Sequence, residues 1–197
     1  TGNLKLGNTV TSLGNFLSYA SSNVTYDGSS SQNIYNANYY DLTIDNSSVT
    51  NLIAGTSIYG NLNLSQGTLD HNTHTLSIRP GATVINASNS SHTHNGHVSR
   101  HFDSTNPFTF PIGDGTNYRP IILTSSTTNT NSLTAAFMFI AQNQSSLNSS
   151  LSSIENIGWD IQRSAGTDGF NITIPFDASY SISDIFNLTI VMWDGTE

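Results

Sequence analysis

Between Leu4 and about Ala87, apolar and polar positions alternate in short runs separated by Gly, Asn and Ser. "NLKL", "NVTYDG", "YYDLTID", "SIYGNLNLSQGTLD" and "HTLSIRPGATVINA" are the clearest of them. Alternation at every second residue predicts strands with one buried face. Leu42 and Ile44 are followed twenty residues later by Leu62 and Leu64, and after fourteen more by Leu76 and Ile78. A recurrence of this size predicts a β-solenoid, in which each coil buries its apolar positions against the last. An antiparallel sandwich with strands of similar length is the alternative.

The pattern changes between residues 88 and 106. "SNSSHTHNG" has no apolar anchor, and Val98, Arg100 and Phe102 open a new series. Pro107, Pro111 and Pro120 interrupt it, and Gly113–Asp114–Gly115 supplies a tight turn. "SLTAAFMFIA", "IGWDIQRSA", "GFNITIPFD" and "IFNLTIVMWDGTE" then read as aromatic or β-branched strands between polar loops. "QNQSSLNSSLSSIEN" reads as an exposed loop with a short helical turn near residues 147–154. The expected fold is all-β, a parallel β-helix-like solenoid over 1–98 followed by an antiparallel β-sandwich over 99–197.

Composition narrows the function. Charged residues make up 9% of the chain, while Ser, Thr and Asn make up about 40%, so the surface is polar through hydroxyls and amides. Thirteen acidic residues oppose five basic ones (Lys5, Arg79, Arg100, Arg119 and Arg163), for a net charge of −8. So few cations argue against nucleic acid and anionic membranes as partners. The absence of cysteine excludes disulfides and thiolate metal sites. No apolar stretch approaches membrane-spanning length. The opening "TGNLKLGN" reads as a processed or excised segment.

Candidate chemistry concentrates in the histidines. "SSHTHNGHVSRH" holds four of the six, and His71 and His74 lie about twenty residues upstream. On a strand His92 and His94 share one side, and a twenty-residue coil would stack His74 near His94 and His71 near His92. Neutral imidazoles so placed would suit zinc, copper or nickel. Those four are the candidate metal ligands, and the competing reading is a polar seam at a domain junction. "IGDGTN" and "SAGTDG" each offer one Asp, short of what a calcium loop requires. Asp27, Asp41, Asp45 and Asp70 are scattered and no G-x-S-x-G is present, so no catalytic set and no cofactor are expected. In "FPIGDGTNYRP", Phe108, Phe110 and Ile112 point to a core, Gly113 and Gly115 to positive φ, and Arg119 to pinning a buried carbonyl or carboxylate.

Several segments together resemble large secreted surface proteins of Bacteroidota. "VTYDGSSSQNIYNANYYDLTI" is similar to their repeated V-T-Y-x-G … Y-Y-x-L-T-I unit, and "GNLNLSQGTLDHNTHTLSI" to their G-N-L-x-L … G-T-L … L-x-I coil. "FTFPIGDGTNYRPIILT" resembles their F-P-I-G-x-G-x-x-Y-R-P segment, and the closing "WDGT" also fits. The histidine cluster is not part of that pattern. The resemblance implies a β-helix-like part followed by a β-sandwich, exported through the outer membrane, commonly by the type IX route, in a structural or adhesin-like role. The triplet "DST" resembles the O-glycosylation acceptor of the same group, with Ser104 as the acceptor. The expectation is therefore an extracellular cell-surface structural or adhesive module, a homo-oligomer or a neighbour of similar repeats, joined through coil ends or edge strands. The alternative is a carbohydrate-binding or polysaccharide-acting β-helix protein, with Tyr35, Tyr39, Tyr40 and Tyr59 offered to sugars.

Overall fold

The computed structural model describes residues 2–14, 16–139 and 157–175, and among these there is no helix. The chain winds through five coils. The first contributes β1 (Asn3–Leu6); the second β2 (Asn23–Tyr26) and β3 (Gln32–Ile34); the third β4 (Asp41–Asp45), β5 (Thr50–Leu52) and β6 (Thr56–Ile58). The fourth holds β7 (Asn61–Gln66), β8 (Leu69–Asp70) and β9 (Thr75–Ile78), and the fifth β10 (Thr83–Ile85), β11 (Thr93–His94) and β12 (His97–Phe102). Parallel pairing sorts them into three faces. The first face is β1-β2-β4-β7-β10, the second β3-β5-β8-β11, and the third β6-β9-β12.

Leu42 pairs with Leu62 and Ile44 with Leu64, so the twenty-residue recurrence is a coil period on the first face. Leu76 and Ile78 lie on the third face, stacked on Thr56 and Ile58. The fourteen-residue interval is thus a step between faces of one coil. Inward columns such as Val24, Leu42 and Leu62, or Tyr26, Ile44 and Leu64, are fully or almost fully buried. Each such aliphatic side chain contributes roughly 1.5–3 kcal/mol by leaving water. Outward positions repeat as polar ladders. The Thr43 hydroxyl donates to Asn23 Oδ1 at 3.1 Å, Asn61 Nδ2 to Asp41 Oδ1 at 3.0 Å, and the Thr83 hydroxyl to Asn61 Oδ1 at 2.6 Å.

Several polar groups inside the coils are paired within the protein. Asn46 Nδ2 donates to Gln32 Oε1 at 2.8 Å, and Gln32 Nε2 reaches the Leu6 carbonyl at 2.7 Å. The buried Tyr26 and Tyr39 hydroxyls lie 3.1 Å apart. At Gly67 the backbone φ is +74° and a Cβ would fall 1.9 Å from the Asn46 carbonyl oxygen, so only glycine fits that corner. Thr9, Phe16 and Ser18 close the start of the stack on two faces. The Thr9 hydroxyl accepts from the Asn33 N–H at 2.9 Å, the Ser18 hydroxyl accepts from the Tyr40 N–H at 2.7 Å, and Phe16 packs on Tyr35 and Tyr39.

The second half grows from the third face. β12 pairs in parallel with β9 on one side and antiparallel with β15 (Asn131–Phe139) on the other, and β15 pairs antiparallel with β16 (Ile157–Ala165). A separate antiparallel sheet is formed by β13 (Phe108–Phe110), β14 (Ile121–Ser125) and β17 (Phe170–Thr173). Phe102 stands 5.0 Å from Phe170 and 6.4 Å from Phe108, both edge-on, which fastens the two sheets together. The division expected at 98/99 falls inside β12. Val98 and Phe102 belong to a single buried cluster that runs from the coils into the antiparallel sheets. The expected strand "IFNLTIVMWDGTE" and the helical turn near 147–154 lie outside the described residues.

Candidate functional site

Two neighbourhoods gather the chemistry-bearing side chains: a seam beneath the second face and a row on the outside of the third. In the seam, Leu69 pairs with Thr93 and Asp70 with His94, a coil of twenty-four residues. The longer coil corrects the expected stacking. His94 stands over Asp70, the His71 N–H donates to the His94 carbonyl at 3.0 Å, and His74 is turned into the corner, its N–H on the His71 carbonyl. The His92 and His94 ring centres lie 6.3 Å apart, and His94 is also near enough to His71 to act on its charge. Among the described residues no three His, Asp or Glu side chains are grouped to hold a metal ion.

His71 and His92 are fully buried. Apart from a weak interaction with the His97 backbone, neither ring nitrogen of His71 has a hydrogen-bond partner. Burial first, and the neighbouring His94 imidazole second, hold His71 down to about 3 from an ordinary 6.5, so its ring is neutral. His92 Nδ1 lies 3.2 Å from the Ser88 carbonyl, which only accepts, so that nitrogen carries the proton and the unpartnered Nε2 is bare. Burial also lowers His92 and His94.

The FPIGDGTNYRP loop closes over this seam. The Thr93 N–H donates to the Pro111 carbonyl at 2.7 Å and the Gly113 N–H to the Thr93 carbonyl at 2.8 Å, extending the second face by one more bridge at Ile112. Phe108, Phe110 and Ile112 are buried as their alternation predicts. Gly115 adopts φ +89°, while Gly113 serves by size: a Cβ there would lie 2.5 Å from the His92 ring and 2.3 Å from the Asn117 carbonyl oxygen. Arg119 pins a carboxylate, its Nε 3.4 Å from Asp114 Oδ2 with both side chains nearly buried. Asp114 also accepts from the Thr116 and Asn117 N–H groups, which, with Arg119, hold its carboxyl below the usual range despite burial. Asp168 of "SAGTDG" likewise accepts from Thr127, Asn129 and Asn131. Both acidic turns are filled by the protein's own donors.

Of the tyrosines, Tyr39 is buried inside the coils, which removes it from any sugar-facing set, while Tyr35 and Tyr40 are half-buried and Tyr59 is 47% exposed. Ser104 is half-buried in the link between β12 and β13. The sequence reading missed the row on the third face. Ile58, Ile78 and Arg100 are in register, so Tyr59, Arg79 and His101 follow side by side, and His101 pairs with Ser132 of β15. Arg79 Nη1 lies 3.2 Å from His101 Nε2, and His101 Nδ1 lies 2.8 Å from the Ser132 hydroxyl. The Arg79 guanidinium also sits 5.6 Å from the Tyr59 ring centre. A signal was present: "SIR" and "SRH" repeat small, apolar-or-basic and basic positions twenty-two residues apart. Further along the same face His97 Nε2 meets Asp160 Oδ2 at 2.9 Å, joining β12 to β16.

No protein-family model, curated protein or solved structure matches this chain.

Proposed function

We propose that this chain is an extracellular structural or adhesive module of a surface assembly that joins through the edges of its first face. The observation that carries the reading is the asymmetry of the coil ends. On the second and third faces, Thr9 and Ser18 close one end, and the Ile112 bridge and β15 close the other. On the first face, β1 and β10 each have one strand neighbour among the described residues. Their side chains fall in the same columns: Asn3, Asn23, Asp41, Asn61 and Thr83 outside, and Leu4, Val24, Leu42, Leu62 and Val84 inside. A parallel strand laid on either edge would continue both the ladder and the core. The low-charge surface offers little electrostatic resistance to it. Ser104, in the β12–β13 link, is proposed as an O-glycosylation acceptor on the same exported protein.

The test uses Val84→Pro. The Thr83 N–H donates to the Gly60 carbonyl, so the alternation of a parallel strand turns the Val84 N–H to the open edge. Sedimentation of the native protein is expected to show self-association that Val84→Pro abolishes while its melting transition stays cooperative. A native protein that is monomeric at every accessible concentration would sink the reading. The second reading, carbohydrate binding, is favoured by the Tyr59–Arg79 row.

A further inference from the structure

Among the described residues, Arg79 and Arg100 lie together without a carboxylate ion pair, Arg100 having only the through-space influence of Asp103. Lys5 is paired with Asp27 at 3.6 Å and Arg119 with Asp114 at 3.4 Å, whereas neither Arg79 nor Arg100 has a carboxylate partner among the described residues. Arg100 is committed inward: its Nη1 donates to the Arg79 and Ala82 carbonyls at 2.9 and 2.7 Å, and its guanidinium lies over Phe108 at 4.6 Å. Arg79 points outward along the row. A guanidinium only donates, so the 3.2 Å contact makes His101 Nε2 an acceptor and places the proton on Nδ1, which donates to Ser132. Arg79 therefore leans on a neutral imidazole and an aromatic ring, two partners that leave its charge unneutralised. Its Nε is buried without a partner, and so is that of Arg100. Buried donors left unpaired are uncommon in folded proteins.

The column beside the row carries hydroxyls throughout. Ser57, Ser77, Ser99 and Thr134 are in register across β6, β9, β12 and β15, each two residues from Tyr59, Arg79, His101 and Ser132; Ser57, Ser77 and Thr134 are half-buried, while Ser99 and Ser132 are buried. The partly exposed hydroxyl residues Ser57 and Ser77 thus lie beside an exposed tyrosine and a planar cation. Nucleic acid fits poorly, because a net charge of −8 repels a dense polyanion and one outward arginine cannot offset it. A polyhydroxylated ring carrying a single oxyanion fits each part: hydroxyls for Ser57 and Ser77, an apolar ring face for Tyr59, and a planar two-oxygen group for the guanidinium.

We infer that the Tyr59–Arg79–His101 row binds an acidic saccharide, its carboxylate or sulfate group held by Arg79 and its ring laid along Tyr59, Ser57 and Ser77. The site does not depend on the assembly reading, since a monomer carries all of it. Titration calorimetry on the full chain with trigalacturonate, a sulfated galactan trisaccharide and neutral galactotriose tests it, and the two acidic arms separate carboxylate from sulfate. One acidic trisaccharide is expected to bind at least about tenfold more tightly than the neutral one. Arg79→Gln should remove roughly that tenfold preference, Arg79→Lys should retain part of it, and Lys5→Gln should change nothing. Should Arg79→Gln melt early, Tyr59→Ala, at an exposed position, takes its place, with weakened binding expected. Acidic sugars binding no better than the neutral one overturn the inference, as does unchanged affinity in Arg79→Gln or, in its stead, Tyr59→Ala.

Discussion

The seam and the outer row put the same residue type to opposite uses. His71 and His92 are fully buried, the FPIGDG loop lying against His92, and His92 Nε2 and both ring nitrogens of His71 are without a close hydrogen-bond partner. His101 sits on the third face with both nitrogens engaged, one by Arg79 and one by Ser132. Neutrality is forced in both, but by different physics. In the seam, burial makes a charge unaffordable; in the row, two neighbouring guanidiniums add to partial burial in lowering His101. Both lowered imidazoles tie fold stability to pH, but the partnered one sits where its surroundings are available to a ligand.

The largest expected effect is acid lability from the seam. The folded value of His71, about 3, lies below its unfolded 6.5, so the unfolded chain takes up the proton first. Stability is full above pH 6.5 and falls by on the order of 1.4 kcal/mol per pH unit as the pH drops toward 3. Urea melts at pH 7 and pH 4.5 should reveal it, and His71→Leu should flatten the fall. An equally steep acid limb in His71→Leu would remove His71 from the account. Next in size is Gly113→Ala, where the added methyl meets the His92 ring and the Asn117 carbonyl, with an expected cost of about 1–3 kcal/mol in thermal or urea unfolding. Arg79→Gln in the row is the contrast, expected to shift stability by no more than about 0.5 kcal/mol. A large loss there would make the row a structural element and erase the distinction.

Much of the fold could be read in advance because the coils obey a local rule. Strand alternation marks Leu42, Ile44, Leu62 and Leu64 as inward, and their spacing is the coil step from β4 to β7. Corners were not legible. Coils step by eighteen residues from Asn23 to Asp41 and by twenty-four from Leu69 to Thr93, because corner residues are added without disturbing the faces. That freedom moved His94 off His74 and onto Asp70. Tyr39 was misplaced for a related reason: an aromatic in a polar run looks exposed, whereas here it fills the coil and bonds to Tyr26. The Arg79–His101 row escaped notice because its members become neighbours only when β9 and β12 pair.

On the first face β1 and β10 each have one strand neighbour among the described residues, and the proposed role rests on that face. Immunogold electron microscopy of intact source cells tests it most directly. The account predicts label outside the cell, spaced regularly along filaments or stalks. Label reached only after permeabilisation, or scattered singly over the surface while the purified chain stays monomeric, would contradict it.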